Sequence, residues 1–271
     1  MHLPKTMRVV EISQYGGPEV LRLEELPDPT PSPGEVVVRV RACALNHLDV
    51  WHRRGIPGAP FLLPCITGAD ISGDIESMGE GVSGFATGDA VMVLPSLSCG
   101  ICERCERGED PLCRSFGILG ETCDGGLAER VVVPARNLFK KPGRLSYEQA
   151  AAGSLSTLTA WHMLVTRAQL RSGETVLIHG AASGVGSAAI RIAKHMGATV
   201  IATASTSEKL EAARSLGADH LINYADEDFV QGVREVVGKA GVDVVFEHVG
   251  GEVFERSLRC LGWGGRLVTC G

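Results

Sequence analysis

Hydrophobic and polar positions follow two different rhythms along the chain. From residue 8 to about 145, short runs of β-branched and apolar residues predict strands, the clearest at 36–40, 90–94 and 130–133. Clusters of proline and glycine, such as the one at 27–34, separate these runs. Short strands bounded by such breakers are typical of a small, mainly β, barrel-like domain.

From about residue 146, strand-like and helix-like segments alternate. Strands are predicted at 175–179, 199–204, 220–223, 242–246 and 266–270. Helices are predicted near 185–196, 207–216, 226–238 and 252–261. This alternation predicts a doubly wound parallel sheet with helices on both faces. The predicted fold class is therefore α/β, with a mainly β domain at 1–145 and a parallel-sheet domain at 146–271.

A turn of small residues follows the first strand of the second domain. It consists of Gly180, Ala181, Ala182, Ser183, Gly184, Val185 and Gly186. Small residues let the backbone approach a pyrophosphate, and the start of the next helix supplies N–H donors and a positive dipole. A tight strand–helix connection without a ligand is the alternative. The strand before the turn and the helix after it favour dinucleotide binding. The turn lacks a Gly-Lys-Ser/Thr ending, which excludes a triphosphate loop of the Walker type.

The end of the second strand bears on the choice between NADH and NADPH. An NAD site usually has an acidic residue here, which accepts from the ribose 2′-OH, but this chain has Ala204. Ser205, Thr206 and Lys209 offer hydroxyls and a cation, which suit a 2′-phosphate. We therefore expect NADPH in preference to NADH. The alternative is a solvated helix start capped by Thr206 or Ser207.

Four cysteines lie close together in the first domain, with the spacing C-x2-C-x2-C-x7-C. They are Cys99, Cys102, Cys105 and Cys113. In a reducing compartment this spacing predicts one structural Zn²⁺, held in a lobe at about 95–115. A closed four-thiolate site leaves no coordination position for a substrate, so this zinc would do no chemistry. A disulfide knot or four unrelated cysteines are the alternatives.

The net charge and the apolar segments of the chain restrict which classes of partner and which cellular compartment are expected. The 271 residues carry a formal net charge of −6, which argues against a nucleic-acid partner. The N-terminus lacks the apolar segment of a secretory signal, and no apolar run is long enough to span a membrane. These features predict a cytoplasmic protein with no membrane partner.

Taken together, the motifs resemble the medium-chain dehydrogenase/reductase superfamily. The resemblance covers essentially the whole chain and includes the segments at 17–21, 33–36, 173–177, 181–186 and 262–268. It implies a GroES-like catalytic domain, a Rossmann domain and hydride transfer in the cleft between them. It also implies a sixth strand through which subunits commonly pair, so the full-length form is expected to be a homo-oligomer. Because the chain stops after the fifth strand, we expect the 271 residues alone to be poorly soluble or wrongly associated.

One branch of this superfamily has a catalytic zinc, whereas the quinone-oxidoreductase-like branch has none. By resemblance, the three ligand positions fall at Ala44, Ala69 and Leu155, none of which binds a metal. Cys43 lies one residue from the first position. A catalytic zinc takes about three protein ligands. The resemblance therefore implies no catalytic zinc, and a zinc-dependent alcohol dehydrogenase with unusual ligands is the alternative.

The quinone-oxidoreductase-like branch has an Asn-x-x-Asp element, which this chain matches with Asn46 and Asp49. By resemblance these residues lie near the nicotinamide and orient or protonate the substrate; local capping of the loop is the alternative. The resemblance also implies that Thr159 packs on the nicotinamide ring and that Tyr224 lies near the adenosine phosphate. Gly250 follows the fourth strand, at the edge where ligands bind in such sheets.

The predicted activity is NADPH-dependent reduction of small quinone, enone or carbonyl substrates without a catalytic metal. Water or Asp49 would deliver the proton, and hydrogen-bond donors would polarise the carbonyl. A second alternative is a cofactor-binding or inert truncated member of the superfamily that does no chemistry.

Overall fold

The structure is a computed structural model that describes residues 5–58 and 61–270. The chain divides into two compact units, residues 1–155 and 156–271. The helix at Tyr147–Ala152 packs on strands of the first unit, so the division falls later than residue 145. The assignment of functional domains at 1–145 and 146–271 stays a prediction.

The first unit is mainly β, and its named strands pair antiparallel. The strands are β1 (Thr6–Ile12), β2 (Leu21–Pro27), β3 (Glu35–Ala44), β4 (Cys65–Ile66), β5 (Asp70–Met78), β6 (Ala90–Val93), β7 (Ser96–Leu97), β8 (Gly117–Ile118), β9 (Arg130–Pro134) and β10 (Leu138–Lys140). The helices are α1 (His47–Arg54), α2 (Glu103–Glu106) and α3 (Tyr147–Ala152), with 3₁₀ turns at Pro18–Val20, Asp110–Leu112 and Ala135–Asn137. The sheet orders are β2-β1-β4, β10-β6-β5-β3-β9 and β7-β8.

Strand β3 is central to the first unit because β5 and β9 pair with its two edges. Val36 and Val38 are fully buried in the core that β6 and β9 also line. The three runs predicted at 36–40, 90–94 and 130–133 lie in β3, β6 and β9. The predicted mainly β domain is therefore confirmed.

The second unit contains one parallel sheet. Its strands are β11 (Thr175–Ile178), β12 (Thr199–Ala204), β13 (His220–Asn223), β14 (Val242–Glu247) and β15 (Leu261–Thr269). Its helices are α4 (Ser154–Trp161), which begins in the first unit, a π-helical segment (His162–Arg167), α5 (Gly184–His195), α6 (Ser207–Ser215), α7 (Phe229–Val237) and α8 (Gly251–Ser257), with 3₁₀ turns at Gly238–Ala240 and Leu258–Cys260. The strand order is β13-β12-β11-β14-β15, and every pair is parallel. The predicted doubly wound sheet is confirmed.

Both faces of this sheet are buried by side chains that alternate along each strand. Val176 and Ile178 of β11 pack in the same core as Ile190 of α5. Leu177, between them, packs on the other face with Phe229 of α7. Parallel strands covered on both faces are nearly continuous apolar runs, which is why these segments were visible in the sequence. No helix among the described residues is long and apolar enough to cross a membrane.

The end of the chain departs from the predicted bounds. The helix predicted at 252–261 ends as α8 at Ser257, and β15 begins at Leu261, ahead of the predicted start at 266. Glycine fits at 262 because a Cβ there would lie 2.2 Å from the carbonyl oxygen of Ala240. Glycine-rich sequence has low strand propensity, so this part of β15 gave no strand signal.

Candidate functional site

The predicted phosphate loop connects β11 to α5 at the carboxyl edge of the sheet. Gly180 turns the chain with a φ of 55°. Ser183 caps α5, because its Oγ accepts a hydrogen bond from the N–H of Gly186 at 2.9 Å. The first N–H groups of a helix have no intrahelical partner. Those of Gly184 and Val185, at the start of α5, are therefore placed to donate to an anion.

Two glycines of this loop differ in how much space surrounds them. A Cβ at Gly186 would lie 2.4 Å from the carbonyl oxygen of Gly180, which is a backbone atom and cannot move aside. A Cβ at Gly184 would meet the side chain of Ser156 at 3.5 Å, an ordinary contact. Close backbone packing therefore requires glycine at 186 but only permits it at 184.

Hydrogen bonds to neighbouring strand ends fix the first part of the loop. Ala181 is fully buried and donates its N–H to the carbonyl of Thr203 at 3.0 Å, whereas Ala182 is exposed. The ring of His248 also supports the loop, because its Nε2–H donates to the carbonyl of His179 at 2.9 Å. The sequence analysis missed His248, since a single histidine after a strand carries no recognisable pattern.

Ser205, Thr206 and Lys209 lie together after β12. The Lys209 Nζ donates to the Ser205 Oγ at 3.3 Å. The Thr206 Oγ1 accepts from the N–H of Lys209 at 3.3 Å, so Thr206 caps α6. The ammonium group is exposed at this corner of the sheet. Thr206 therefore caps α6, as the alternative held, and the 2′-phosphate site stays a prediction.

Tyr224 and Gly250 lie at the same carboxyl edge. Tyr224 follows β13, donates its N–H to the carbonyl of Ala204 at 3.1 Å, and lines a cavity of about 350 Å³ together with Val249. Gly250 has a φ of 79° and donates its N–H to the Oε1 of the buried Glu247 at 2.7 Å. The structure therefore brings both residues to the edge where the phosphate loop lies.

Thr159 lies on α4, the helix that packs beside the phosphate loop through Ser156. Its side chain is half-buried. The role in packing on a nicotinamide ring stays a prediction.

In the first unit, Asn46 and Asp49 are joined at the start of α1. The N–H of Asn46 donates to the Asp49 Oδ2 at 2.7 Å, and the Asp49 Oδ1 accepts from the N–H of Gly68 at 3.1 Å. The Asn46 Nδ2 donates to the Asp70 Oδ2 at 2.9 Å. The other oxygen of Asp70 accepts from the N–H of Leu155 at 2.6 Å. Asp49 thus caps the local chain, as the alternative proposed, while the side chain of Asn46 is held by a residue outside the motif.

Burial raises the pKa of both carboxyl groups in this network. Asp70 is 1% exposed, and desolvation raises its pKa to about 6 despite the hydrogen bonds from Asn46 and Leu155. Desolvation also raises the pKa of Asp49. Asp70 was not predicted as a site residue, although an acid at the start of a buried strand is a signal that points to one.

The predicted zinc-ligand positions carry no metal-binding atoms. Ala69 is buried, and the sulfur of Cys43 packs so closely that a Cβ at Gly68 would lie 2.7 Å from it. Burial raises the pKa of the Cys43 thiol to about 12. Among the described residues, only the lobe cysteines form a group of three or more potential ligands whose atoms lie within 4.8 Å of one another. The absence of a catalytic zinc stays a prediction.

The four lobe cysteines converge on one point. The Sγ–Sγ distances are 3.5 Å for Cys102–Cys105, 3.6 Å for Cys99–Cys113, 3.8 Å for Cys99–Cys105 and 3.9 Å for Cys102–Cys113. A tetrahedral zinc with Zn–S bonds of about 2.3 Å spaces its sulfurs about 3.8 Å apart. The observed distances are far longer than a disulfide bond, which is about 2.05 Å. The donor set therefore fits Zn²⁺ and contradicts the disulfide alternative.

Backbone groups around the cluster favour thiolates. The N–H groups of Cys99 and Ser115 donate to the Sγ of Cys113 at 3.5 and 3.3 Å. A hydrogen bond from the backbone at Ile101 lowers the pKa of Cys99 to about 6. The backbone N–H of Cys105 lowers the pKa of Cys102, but hydrogen bonds with the Cys105 and Cys99 thiols outweigh this effect and the pKa is raised to about 11. Arg136 adds a positive charge and donates to the carbonyl of Cys99 at 3.3 Å. Bonds of this kind orient ligands and stabilise the negative charge that sulfur donates to a metal.

Comparison with known proteins identifies the families that the two units resemble. Residues 32–143 match the alcohol dehydrogenase GroES-like domain, and residues 184–271 match the zinc-binding dehydrogenase family. The chain belongs to the medium-chain dehydrogenase/reductase superfamily. It is therefore an NAD(P)-dependent oxidoreductase with a GroES-like and a Rossmann-like domain, as the resemblance implied.

Three proteins similar to this superfamily member illustrate the range of activities for which its relatives are named. Quinone oxidoreductase of Homo sapiens is 31% identical over 268 residues, which are 98% of this chain and 74% of that protein. A 2-haloacrylate reductase of Burkholderia sp is 36% identical over 258 residues, 92% of this chain and 68% of that protein. The solved structure of an NAD-dependent alcohol dehydrogenase is 50% identical, with a TM-score of 0.93 over 96% of this chain and 76% of that one.

Proposed function

We propose that this oxidoreductase reduces small quinones, enones or related carbonyl compounds with NADPH and without a catalytic metal. The observation that carries the proposal is the network of Asn46, Asp49 and Asp70. Asn46 donates to both carboxyl groups, and among the described residues the two aspartates belong to no group of three or more His, Cys, Asp or Glu side chains that could hold a metal. Two relatives are named for a quinone and for 2-haloacrylate, both of which have an activated double bond.

The second unit supplies the cofactor site. NADPH, when bound, supplies the hydride. The N–H groups at the start of α5 bind the pyrophosphate. Ser205 and Lys209 bind the 2′-phosphate, with the Thr206 hydroxyl and Tyr224 beside them. Thr159 packs against the nicotinamide ring.

The first unit supplies orientation and a proton. Hydride addition to an enone or quinone leaves negative charge on oxygen, which hydrogen-bond donors stabilise in place of a metal. Asn46 orients the substrate through its amide. Burial raises the pKa of Asp49, so this carboxyl holds a proton more readily than an exposed one and delivers it directly or through water.

Cofactor preference is tested with Lys209→Ala. Loss of a charge-assisted bond to the 2′-phosphate should raise the KM for NADPH about tenfold and leave the KM for NADH unchanged. The matched control is Lys239→Ala, which removes an exposed lysine at the opposite edge of the sheet, before β14. A wild-type kcat/KM that is higher for NADH than for NADPH would contradict the preference.

Metal dependence is tested by zinc content. We expect about one zinc per chain, held in the lobe by Cys99, Cys102, Cys105 and Cys113, and turnover of a quinone and enone panel. The second candidate is a zinc-dependent alcohol dehydrogenase, favoured by the 50% identity to the NAD-dependent alcohol dehydrogenase. About two zincs per chain and NAD-linked alcohol oxidation would establish it. Tight NADPH binding without any turnover would instead favour a non-catalytic member.

The surroundings of the enzyme follow from the same features. Four free thiolates that hold zinc require a reducing compartment, so we propose a cytoplasmic location. By resemblance, we propose that the protein is a homo-oligomer. Light scattering of the protein after size-exclusion chromatography measures this directly, and a monomer would contradict it.

A further inference from the structure

Asp70 is a buried carboxylate with two fixed hydrogen-bond donors. It begins β5 and is 1% exposed. Its Oδ1 accepts from the backbone N–H of Leu155 at 2.6 Å, and its Oδ2 accepts from the Asn46 Nδ2 at 2.9 Å. A backbone donor cannot rotate away, so Leu155 sets the plane of the carboxylate and directs the second oxygen toward Asn46. An amide that faces a carboxylate oxygen must present its NH₂ group.

We propose that Asp70 is a positioning residue for the reaction, which fixes the Asn46 amide in one of its two possible orientations. This inference rests on the proposed reductase function, in which Asn46 orients the substrate. The amide is nearly symmetric in shape, but its two ends have opposite hydrogen-bonding character. A flip would present a donor where the substrate needs an acceptor, or the reverse. Asp70 removes that ambiguity without touching the substrate.

The ionised form of Asp70 accepts both hydrogen bonds at full strength, whereas a proton on Oδ2 weakens that oxygen as an acceptor and adds a donor beside the Asn46 NH₂ group. A protonated carboxyl carries an O–H on one oxygen, and Leu155 keeps the other oxygen as an acceptor. The proton therefore faces the Asn46 amide and displaces its NH₂ group. Because the pKa of Asp70 is raised to about 6, this change falls within the range of ordinary assays.

Few charged or titratable groups face Asp70 in the described part of the chain. Asp49 of α1 raises its pKa further through charge repulsion. Cys43 of β3 has a thiol pKa of about 12 and remains neutral. Helix α4 contributes the backbone N–H of Leu155 and no charge. We therefore expect Asp70 to produce an acid limb near pH 6, with activity lost as the pH falls through it.

The test compares the wild-type enzyme with Asp70→Asn. In the variant, the new amide oxygen accepts from Leu155 and the new NH₂ group faces Asn46, so the Asn46 amide turns over to present its oxygen and is held in the wrong orientation. We expect kcat for enone reduction to fall about 100-fold, as for a misplaced catalytic group, with the KM for NADPH within about twofold. The acid limb of kcat near pH 6 should disappear. A kcat within about threefold of wild type with an unchanged pH profile would overturn the inference.

A double variant separates positioning from stability. Asn46→Asp combined with Asp70→Asn restores one donor and one acceptor, with their places exchanged. We expect the melting temperature to recover and kcat to remain low, because the correctly oriented amide is gone. Recovery of both would show a merely structural pair and overturn the inference.

A spectroscopic measurement keeps the inference testable if the variants fold poorly or the proposed function fails. In wild-type protein, the ¹⁵N side-chain amide signal of Asn46, assigned by its absence in Asn46→Asp, should titrate near pH 6. A signal that does not move overturns the positioning role even if the enzyme is a reductase. A signal that titrates in a protein without reductase activity supports the positioning and rejects only the proposed function.

Discussion

The two units hold their candidate ligands by different means. The first unit uses side chains, namely four thiols spaced 3.5–3.9 Å apart and the network around Asn46. The phosphate loop of the second unit uses backbone, namely the N–H groups that begin α5 and a glycine at 186 that has no room for a Cβ. A substitution at a side-chain site removes a ligand atom. A substitution of a glycine at a backbone site instead adds a Cβ for which there is no space. The two units should therefore respond to different substitutions.

The largest effect is expected in the lobe. Cys102→Ser removes one of four zinc ligands, and structural zinc contributes roughly 10–16 kcal/mol to the folding of small zinc domains. We expect the zinc content to fall from about one to near zero per chain, with a large drop in melting temperature. Cys123→Ser, which removes a half-buried thiol outside the cluster, should keep its zinc. Metal analysis with thermal melting decides, and a Cys102→Ser protein that retains zinc would contradict the site.

The backbone site should fail when a single methyl group is added. Gly186→Ala places a Cβ 2.4 Å from a carbonyl oxygen, so the loop must shift. We expect the Kd for NADPH to rise at least about 30-fold, or about 2 kcal/mol, as measured by calorimetry. Gly184→Ala is the matched control, since its Cβ meets only Ser156 at 3.5 Å. Equal effects of the two changes would show that close backbone packing does not govern the site.

The side-chain network around Asp70 should also make the stability of the protein depend on pH. The pKa of Asp70 is raised from 3.8 in its ordinary environment to about 6 in the folded protein. Between these values the folded state binds more protons than the unfolded state, so this group's stabilisation is lost as the pH rises through about 6. The expected contribution is about 2 to 3 kcal/mol. The free energy of unfolding in urea is measured for wild type and Asp70→Asn at several pH values, and the difference between the two isolates this contribution. A difference that does not change with pH would contradict the raised pKa.

The smallest effect concerns the support of the zinc lobe. Arg136→Ala removes the hydrogen bond to the carbonyl of Cys99 and a positive charge near the thiolates. We expect zinc release to a chelator to accelerate about threefold to tenfold, equivalent to about 1 kcal/mol. Arg104→Ala is the control, because it breaks only an exposed ion pair with Glu109. Identical release rates for the two variants would show that Arg136 does not support the metal.

Local motifs were predictable because all their parts lie close together in the chain. The four cysteines lie within residues 99–113 and the turn of small residues within 180–186, so residue type and spacing alone predicted that each group is compact. The parallel sheet was visible because both of its faces are buried, which makes the strands apolar throughout. The start of β15 was predicted too late, because the glycines in its first half have low strand propensity.

The network around Asp70 was not predictable, because its bonds join distant parts of the chain. Asn46 lies 24 residues before Asp70, and Leu155 lies 85 residues after it. Sequence patterns carry no information about such pairs until β5, α1 and α4 are placed in space. An acid in a buried strand signals that a partner must exist, but only the structure identifies that partner.

The base of the zinc lobe has a consequence for the five-stranded sheet of the first unit. The segment enters through β7 and leaves through β8, which pair as Ser96–Ile118 and Leu97–Gly117. The two ends of the segment therefore lie side by side, and the four-cysteine cluster lies in an excursion whose ends already pair. Because β7 and β8 form a sheet of their own, a tight turn in place of the excursion would leave the register of the five-stranded sheet unchanged.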